Sequence, residues 1–252
     1  TMVAILRIMA EIDLGHPIVR SMSAAYWRGG DDAVERVLYR PQFFDKIVAW
    51  GGGDAINNVV KYLGPGFQLV SFDPKTSISM VGREALADDA VLDLVADLTS
   101  MDVMTLNQEA CVASRYQFVE GTQAEVDRFC AALHKHVARR AAESGDVRPM
   151  AMDMKEEIES LMMMDDEYGV WGKTDGKGLV IRSEEPVDFH PINKTANVVR
   201  VDSLDDAVKW VNVATQTVGF YPFERMPVYR DRLAAGGAQR VVHLGEAGPA
   251  TI

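Results

Sequence analysis

The chain has 252 residues and a net charge of −11, with 26 Lys plus Arg against 37 Asp plus Glu. Apolar residues make up 48% and charged residues 25%, the balance of a globular protein; the acidic surface speaks against nucleic acid as a partner, and no run reaches the roughly 18 apolar residues of a membrane span. Two cysteines make no disulfide framework, and no basic–apolar–small pattern opens the chain, so the cytoplasm is the expected compartment.

The opening "TMVAILRIMAEI" reads as an amphipathic helix already under way, as in a piece of something longer. The short apolar run 45–50 ends in three glycines and predicts a buried strand. Residues 54–63 carry Ala55, Val59, Val60 and Leu63 near helical spacing, and "GPG" at 64–66 stops that helix. Strands follow over 67–72 and 77–82. Residues 88–101 form a helix whose acidic first turn suits the helix dipole. A strand over 114–121 leads to a long helix over 122–143, opened by Thr122 and Glu125 at capping-box spacing. The Met-rich stretch 144–180 predicts a short helix over 153–164 and a hairpin through "GKTDGKG". The last pair is a strand over 197–201 and a capped helix over 202–214, whereas "TQTVGFYP" (215–222) says only loop or short strand. This βαβα rhythm predicts an α/β fold with a mainly parallel sheet.

Two stretches bear on chemistry. "VAWGGGDAI" (48–56) is strand, glycines, helix. It suits a pyrophosphate at a helix N-terminus as well as it suits a plain tight turn, and it is not G-x-G-x-x-G. "NQEAC" (107–111) places Cys111 in a polar loop between a helix and a strand, where a thiol is either a nucleophile or inert. Cys130, within the long helix, is expected to be a buried inert thiol. His134 and His136, two apart on a helix, share no face and are expected at the surface; His16 and His190 each precede a proline and are expected to serve local structure. The triple methionine 162–164 is expected to pack rather than to bind. No metal-ligand spacing and no G-x-S-x-G elbow appears.

Taken together, "DLGHPIVRSMSAAYWRGGDDAVERVL", "FDKIVAWGGGDAINNV", "LVSFDPKTSISMVG", "NQEACVASRYQFVEG", "PVDFHPINKTANVVRVDSLDDAVKWVNVATQTVGFYP" and "GGAQRVVHLGE" resemble the LuxC-type acyl-CoA reductases, fatty acid reductases of the aldehyde dehydrogenase superfamily. The resemblance covers nearly the whole chain, in order, and corresponds to the C-terminal half of such enzymes. It implies an aldehyde dehydrogenase-like α/β fold: residues 1–74 as the later part of a Rossmann-like NAD(P)-binding domain, 75–222 as the catalytic domain, and 223–252 as a tail running back over the molecule or toward an oligomer partner. It implies Cys111 as the nucleophile of an N-x-x-x-C loop that begins at Asn107. Trp50, Gly51, Gly52 and Gly53 then form the phosphate-binding turn, and Asp188 in "PVDFHP" stands where relatives hold the nicotinamide ribose. Where hydrolytic relatives carry the glutamate base of E-L-G-G-K, this chain reads "SFDPKTS", with Ser71 near that place and Asp73 as a possible substitute.

The implied reaction is NADPH-dependent reduction of a fatty acyl-CoA, or another acyl thioester, to the aldehyde, with NADH an open alternative. An acyl-protein synthetase partner and a homo-oligomer are also implied. Two other readings stand beside it. One is a non-catalytic scaffold or oligomerisation module that lacks a complete cofactor site. The other is a cysteine acyltransferase or thioesterase pairing Cys111 with His190 or His243.

Overall fold

A computed structural model describes residues 2–72 and 74–248, and the chain divides into two units, Thr1–Pro74 and Lys75–Ile252. In the first, helix α1 (Met2–Asp13) buries none of its residues. Helix α2 (Pro17–Arg20) starts at His16, whose ring accepts from the Ile18 N–H, so that histidine serves local structure as expected. Helix α3 (Asp32–Leu38) is capped by Asp31. Strand β1 (Lys46–Trp50), helix α4 (Gly53–Val60) and strand β2 (Gln68–Phe72) complete the unit, with β1 and β2 paired in parallel. Ala49, Ile56 and Val59 form its small core, flanked by Tyr39, Ile47 and Leu69.

The second unit is built on a seven-stranded sheet in the order β5-β6-β7-β4-β3-β8-β9. Its elements in chain order are β3 (Thr76–Val81), α5 (Asp89–Met104), β4 (Ser114–Glu120), α6 (Gln123–Ser144), α7 (Met152–Met162), β5 (Gly169–Gly172), β6 (Leu179–Ser183), β7 (Thr195–Val201), α8 (Leu204–Val208), β8 (Thr215–Tyr221), α9 (Met226–Gly236) and β9 (Arg240–His243). Every pairing is parallel except β5 with β6, the hairpin expected through "GKTDGKG". Both sheet faces are covered, so the central strands are buried throughout. On one face Val81, Val119 and Val198 pack against Val95 and Val103 of α5 and Phe129 and Leu133 of α6. On the other, Ile78, Met80, Phe118 and Phe220 meet Leu204 of α8 and Tyr229 and Leu233 of α9.

Helix α6 shows why the local sequence sufficed there. Thr122 and Glu125 close a complete capping box. Its buried positions Val126, Phe129, Cys130, Leu133, Val137 and Ala141 recur at helical spacing, and Gly145 ends it in the left-handed region at φ 65°.

One expectation is corrected, and two open ones are made specific. Helix α8 ends at Val208 instead of continuing to 214. Asn212 Oδ1 accepts from the Ala214 N–H (2.8 Å) and Thr215 Oγ1 accepts from the Asn212 N–H (3.1 Å), a local alternative to helical bonding that returns the chain to the sheet. "TQTVGFY" is a full strand between β3 and β9. Residues 223–243 run back over the second unit: α9 packs on the sheet and β9 forms its edge. Gly237 makes that return possible, since at φ 117° a β-carbon there would lie 2.7 Å from the Val213 backbone.

Candidate active site

Between α5 and β4 the chain turns sharply at the N-terminal ends of the parallel strands. It does so through Leu106, Asn107 and Gln108, with φ of 47°, 56° and 62°. Three successive non-glycine residues in the left-handed region are costly, about 1 kcal/mol each, and persist only where surroundings impose them. The surroundings are explicit. Gln108, 2% exposed, donates from Nε2 to the Thr195 carbonyl (2.6 Å) and accepts at Oε1 from the Thr195 N–H (3.0 Å). Arg115, also buried, donates to the Gln108 carbonyl (2.9 Å) and to the Pro191 carbonyl (2.6 Å). Asn107 donates to Asp146 (2.9 Å), which also binds Arg148, and Arg148 pairs with Glu109. Buried Lys194 donates to the Asp146 carbonyl.

Cys111 follows this clamp and is half-buried. Its carbonyl accepts from Ser77 Oγ (2.8 Å), and Ser77 Oγ accepts from the Thr217 N–H (3.1 Å), which ties the Cys111 loop to β3 and β8. The Ala110 carbonyl accepts from the Ala113 N–H (3.1 Å), fixing the peptide plane that carries the Cys111 N–H. Among the described residues that N–H has no acceptor of its own.

Burial lowers the Arg115 pKa, while the neighbouring Tyr116 and Cys111 groups pull it the other way. Burial raises the Tyr116 phenol, with the Asp188 carboxylate adding to the shift. His190 is open to solvent at its edge, but desolvation on its protein side, then the Arg115 charge, lower its pKa to about 4. The imidazole is therefore neutral near pH 7, and no hydrogen bond joins it to Cys111. His243 stacks on Phe223 near the C-terminal end of the sheet and pairs in register with Phe220, while Cys111 lies before the N-terminal end of β4. A strand length of about 20 Å separates those ends, so His243 is no partner for the thiol. An apolar cleft of about 240 Å³, lined by Ile78, Tyr116, Phe118, Pro186, Trp210 and Thr215, opens beside the first residues of β3 and β8.

The glycines lie in the first unit. Gly52 caps α4 without a side chain, and β-carbons at Gly52 or Gly53 would meet open space, which leaves the first-turn N–H groups approachable. Trp50 is 79% exposed and stacks on Phe72 at 5.3 Å. Ser71 is exposed in β2, and Asp73 lies outside the described residues. Asp188 is exposed in the second unit. Cys130 is fully buried, and desolvation raises its pKa well above the ordinary thiol range. His136 is half-buried between α5 and α6, 2.9 Å from Asp93, rather than at the open surface. No group of three His, Cys, Asp or Glu among the described residues has metal-holding geometry, and no helix there is long and apolar enough to cross a membrane. Sequence reasoning singled out Cys111 and Asn107 but missed Ser77, Gln108, Arg115 and Thr195, whose partners are remote in sequence.

A mainly parallel sheet covered by helices on both faces, with a thiol in a strained loop ahead of a central strand, is the arrangement of an aldehyde dehydrogenase-like fold. The solved NADP-dependent glyceraldehyde-3-phosphate dehydrogenase from Bacillus halodurans C-125 superposes with a TM-score of 0.65 at 15% identity, over 96% of this chain and 52% of that one. An aldehyde dehydrogenase from Brucella melitensis gives 0.61 at 13% identity, over 88% and 48%. The assignment then narrows: the family model described as acyl-CoA reductase (LuxC) matches residues 1–250, and the chain belongs to that family. The long-chain acyl-protein thioester reductase of Vibrio harveyi is 28% identical over 246 residues, 93% of this chain and 48% of its own length. Long-chain acyl-protein thioester reductase 2 of Photobacterium leiognathi is 26% identical over 256 residues, 97% of this chain and 50% of its own. The chain thus spans about half the length of the curated relatives it matches.

Proposed function

We propose that this chain carries the thiol-bearing catalytic unit and part of the cofactor-binding unit of a cytoplasmic long-chain acyl thioester reductase, with Cys111 as nucleophile. The observation that carries the reading is the clamped left-handed loop. Strain held by Thr195, Arg115 and Asp146, three residues before a half-buried thiol with an uncommitted N–H, is what a preorganised acyl-transfer site requires. In the forward reaction Cys111 Sγ bonds to the thioester carbonyl carbon. The carbon–sulfur bond to the carrier breaks, and the carrier leaves as its thiol. The Cys111 N–H donates to the oxyanion of the tetrahedral intermediate. The apolar cleft beside β3 and β8 supports a long aliphatic acyl group.

A reduced nicotinamide, when bound, supplies the hydride that converts the acyl carbon to the aldehyde as the bond to Cys111 breaks. The bare turn at Gly51, Gly52 and Gly53 fits its pyrophosphate, Trp50 stands beside that turn, and Asp188 is the candidate for its ribose. NADPH is the cofactor we favour, in line with the NADP named for the Bacillus structure, with NADH as the alternative. The substrate is an acyl-CoA or, as the relatives' names indicate, an acyl group carried on a protein; an acyl-protein synthetase would be its donor, and self-association of the reductase is part of the same proposal. Neutral His190, unbonded to the thiol, gives an acyltransferase or thioesterase no cysteine–histidine pair.

The test is intact mass of the full-length protein after incubation with a long-chain acyl-CoA. One hydroxylamine-labile adduct at Cys111, absent in Cys111→Ala, is the expected result. Normal labelling of Cys111→Ala would sink the assignment.

A further inference from the structure

We propose that Gln108 is a positioning residue for acyl transfer: its carboxamide straps the nucleophile loop to the start of β7 and so aims the Cys111 N–H at the oxyanion. The proposal rests on the reading of Cys111 as the acylated nucleophile and goes beyond it by naming what aims the loop. Gln108 touches neither thiol nor substrate, so any effect it has passes through the backbone.

The geometry runs from β7 to the thiol. The Gln108 carboxamide bonds both main-chain polar groups of Thr195, the first residue of β7, in the manner of one more ladder residue (2.6 and 3.0 Å), the Thr195 N–H being shared with the Ile192 carbonyl (3.2 Å). Its own carbonyl is taken by Arg115 from β4 (2.9 Å), whose second hand holds the Pro191 carbonyl (2.6 Å). Gln108 is thus fixed at main chain and side chain at once, by two neighbouring strands. Three residues later Ser77 holds the Cys111 carbonyl (2.8 Å), and the Ala113 N–H holds the Ala110 carbonyl (3.1 Å). Between these fixed points the peptide plane carrying the Cys111 N–H has little room to rotate. Without the strap, Leu106, Asn107 and Gln108 lose two of the bonds that repay their strain and keep only those of Asn107 to Asp146 and of Arg115 to the Gln108 carbonyl, so they have reason to relax out of the left-handed region. An oxyanion donor displaced by about 1 Å costs roughly a hundredfold in rate.

The experiment compares wild type with Gln108→Met, which keeps length and bulk but loses both amide bonds, in the full-length protein. Two rates are read at Cys111: acylation by palmitoyl-CoA and alkylation by iodoacetamide, a small electrophile that needs no oxyanion donor. Acylation at saturating palmitoyl-CoA is expected to fall about a hundredfold while alkylation changes less than about threefold and the KM stays near wild type. Acylation within about threefold of wild type overturns the proposal. So does a parallel loss of both rates, which would mark a merely structural role. If Gln108→Met does not fold, Ser77→Ala decides in its place. Losing its hold on the Cys111 carbonyl should slow acylation about tenfold with alkylation preserved, and unchanged acylation refutes the positioning argument. Wild-type protein that acquires no adduct at Cys111 overturns the underlying functional reading instead, and does so before any variant is made.

Discussion

Asp102 offers the sharpest pH test of the second unit. It is fully buried on α5 and accepts from the Gly245 and Ala247 N–H groups, both at 2.9 Å. Gly219 leaves room for it, since a β-carbon there would lie 2.6 Å from Asp102 Oδ2. Burial outweighs the two hydrogen bonds and raises its pKa from 3.8 to about 6. The folded state therefore holds the proton more tightly than the unfolded state, and stability is lost as pH rises through the window from 3.8 to about 6. A shift of roughly two pKa units corresponds to about 3 kcal/mol, of which about 2 kcal/mol falls between pH 4.5 and 7.5. The perturbation is Asp102→Asn, which keeps the shape and removes the titration. Urea unfolding of both proteins across that range gives the difference in stability at each pH. Wild type should lose about 2 kcal/mol relative to Asp102→Asn from the low end to the high end. A flat difference, or one of opposite sign, would show that the Gly245 and Ala247 bonds win over desolvation, and the argument would fail.

Glu120 should behave in the opposite sense. Burial pushes its pKa up, but Arg225 (2.6 Å) and Arg83 (3.2 Å) outweigh it and hold it below 4.5, so its stabilisation is present above pH 4.5 and lost as pH falls through the folded value. Glu120→Gln should cost about 3 kcal/mol at pH 7 by urea titration, the lower end for a broken buried pair because Arg225 keeps Glu84. Leu133→Ala, in the fully buried stripe of α6, should cost about 3 kcal/mol, read from the same transition. Iodoacetamide at pH 8 should alkylate Cys111 in the folded protein and reach Cys130 only after denaturation, as peptide mapping would show; equal labelling would contradict the burial of Cys130. The His190 ring protons should titrate near pH 4 and stay constant from pH 5.5 to 8 by NMR, so a midpoint near 6.5 would refute its desolvation.

What the sequence disclosed and what it hid divide along one physical line. Helix α6 and the strands β1, β2 and β4 were legible because each is set by neighbours in sequence: a capping box, a glycine stop, a continuous apolar run. Strand β8 was not, because Thr215, Gln216 and Thr217 look like loop residues until buried polar partners are known. Thr217 is buried because its N–H meets Ser77 Oγ, 140 positions away. Helix α8 was overextended because apolar spacing continues to Val211 while Asn212 and Thr215 divert the backbone. The edge strand β9 has only four residues, too few for period-2 alternation to register.

The same line crosses the candidate site. The position of Cys111 in a polar loop between a helix and a strand could be read directly, since both flanking elements are local. The clamp could not, because Gln108 reaches Thr195 over 87 positions, Arg115 reaches Pro191 over 76 and Asn107 reaches Asp146 over 39. Nor does composition announce the left-handed run, because Leu, Asn and Gln stand where a local rule would ask for glycine. That mismatch is itself informative. A glycine would adopt the same backbone without strain, but would then leave it freely; a glutamine adopts it only while the strap holds and brings the strap with it. At Asn107 and Gln108 the residue that violates the local preference is thus one whose side chain helps to enforce the violation, whereas exposed Leu106 is carried by its neighbours, and this is why local reading stops at the loop while the fold continues through it.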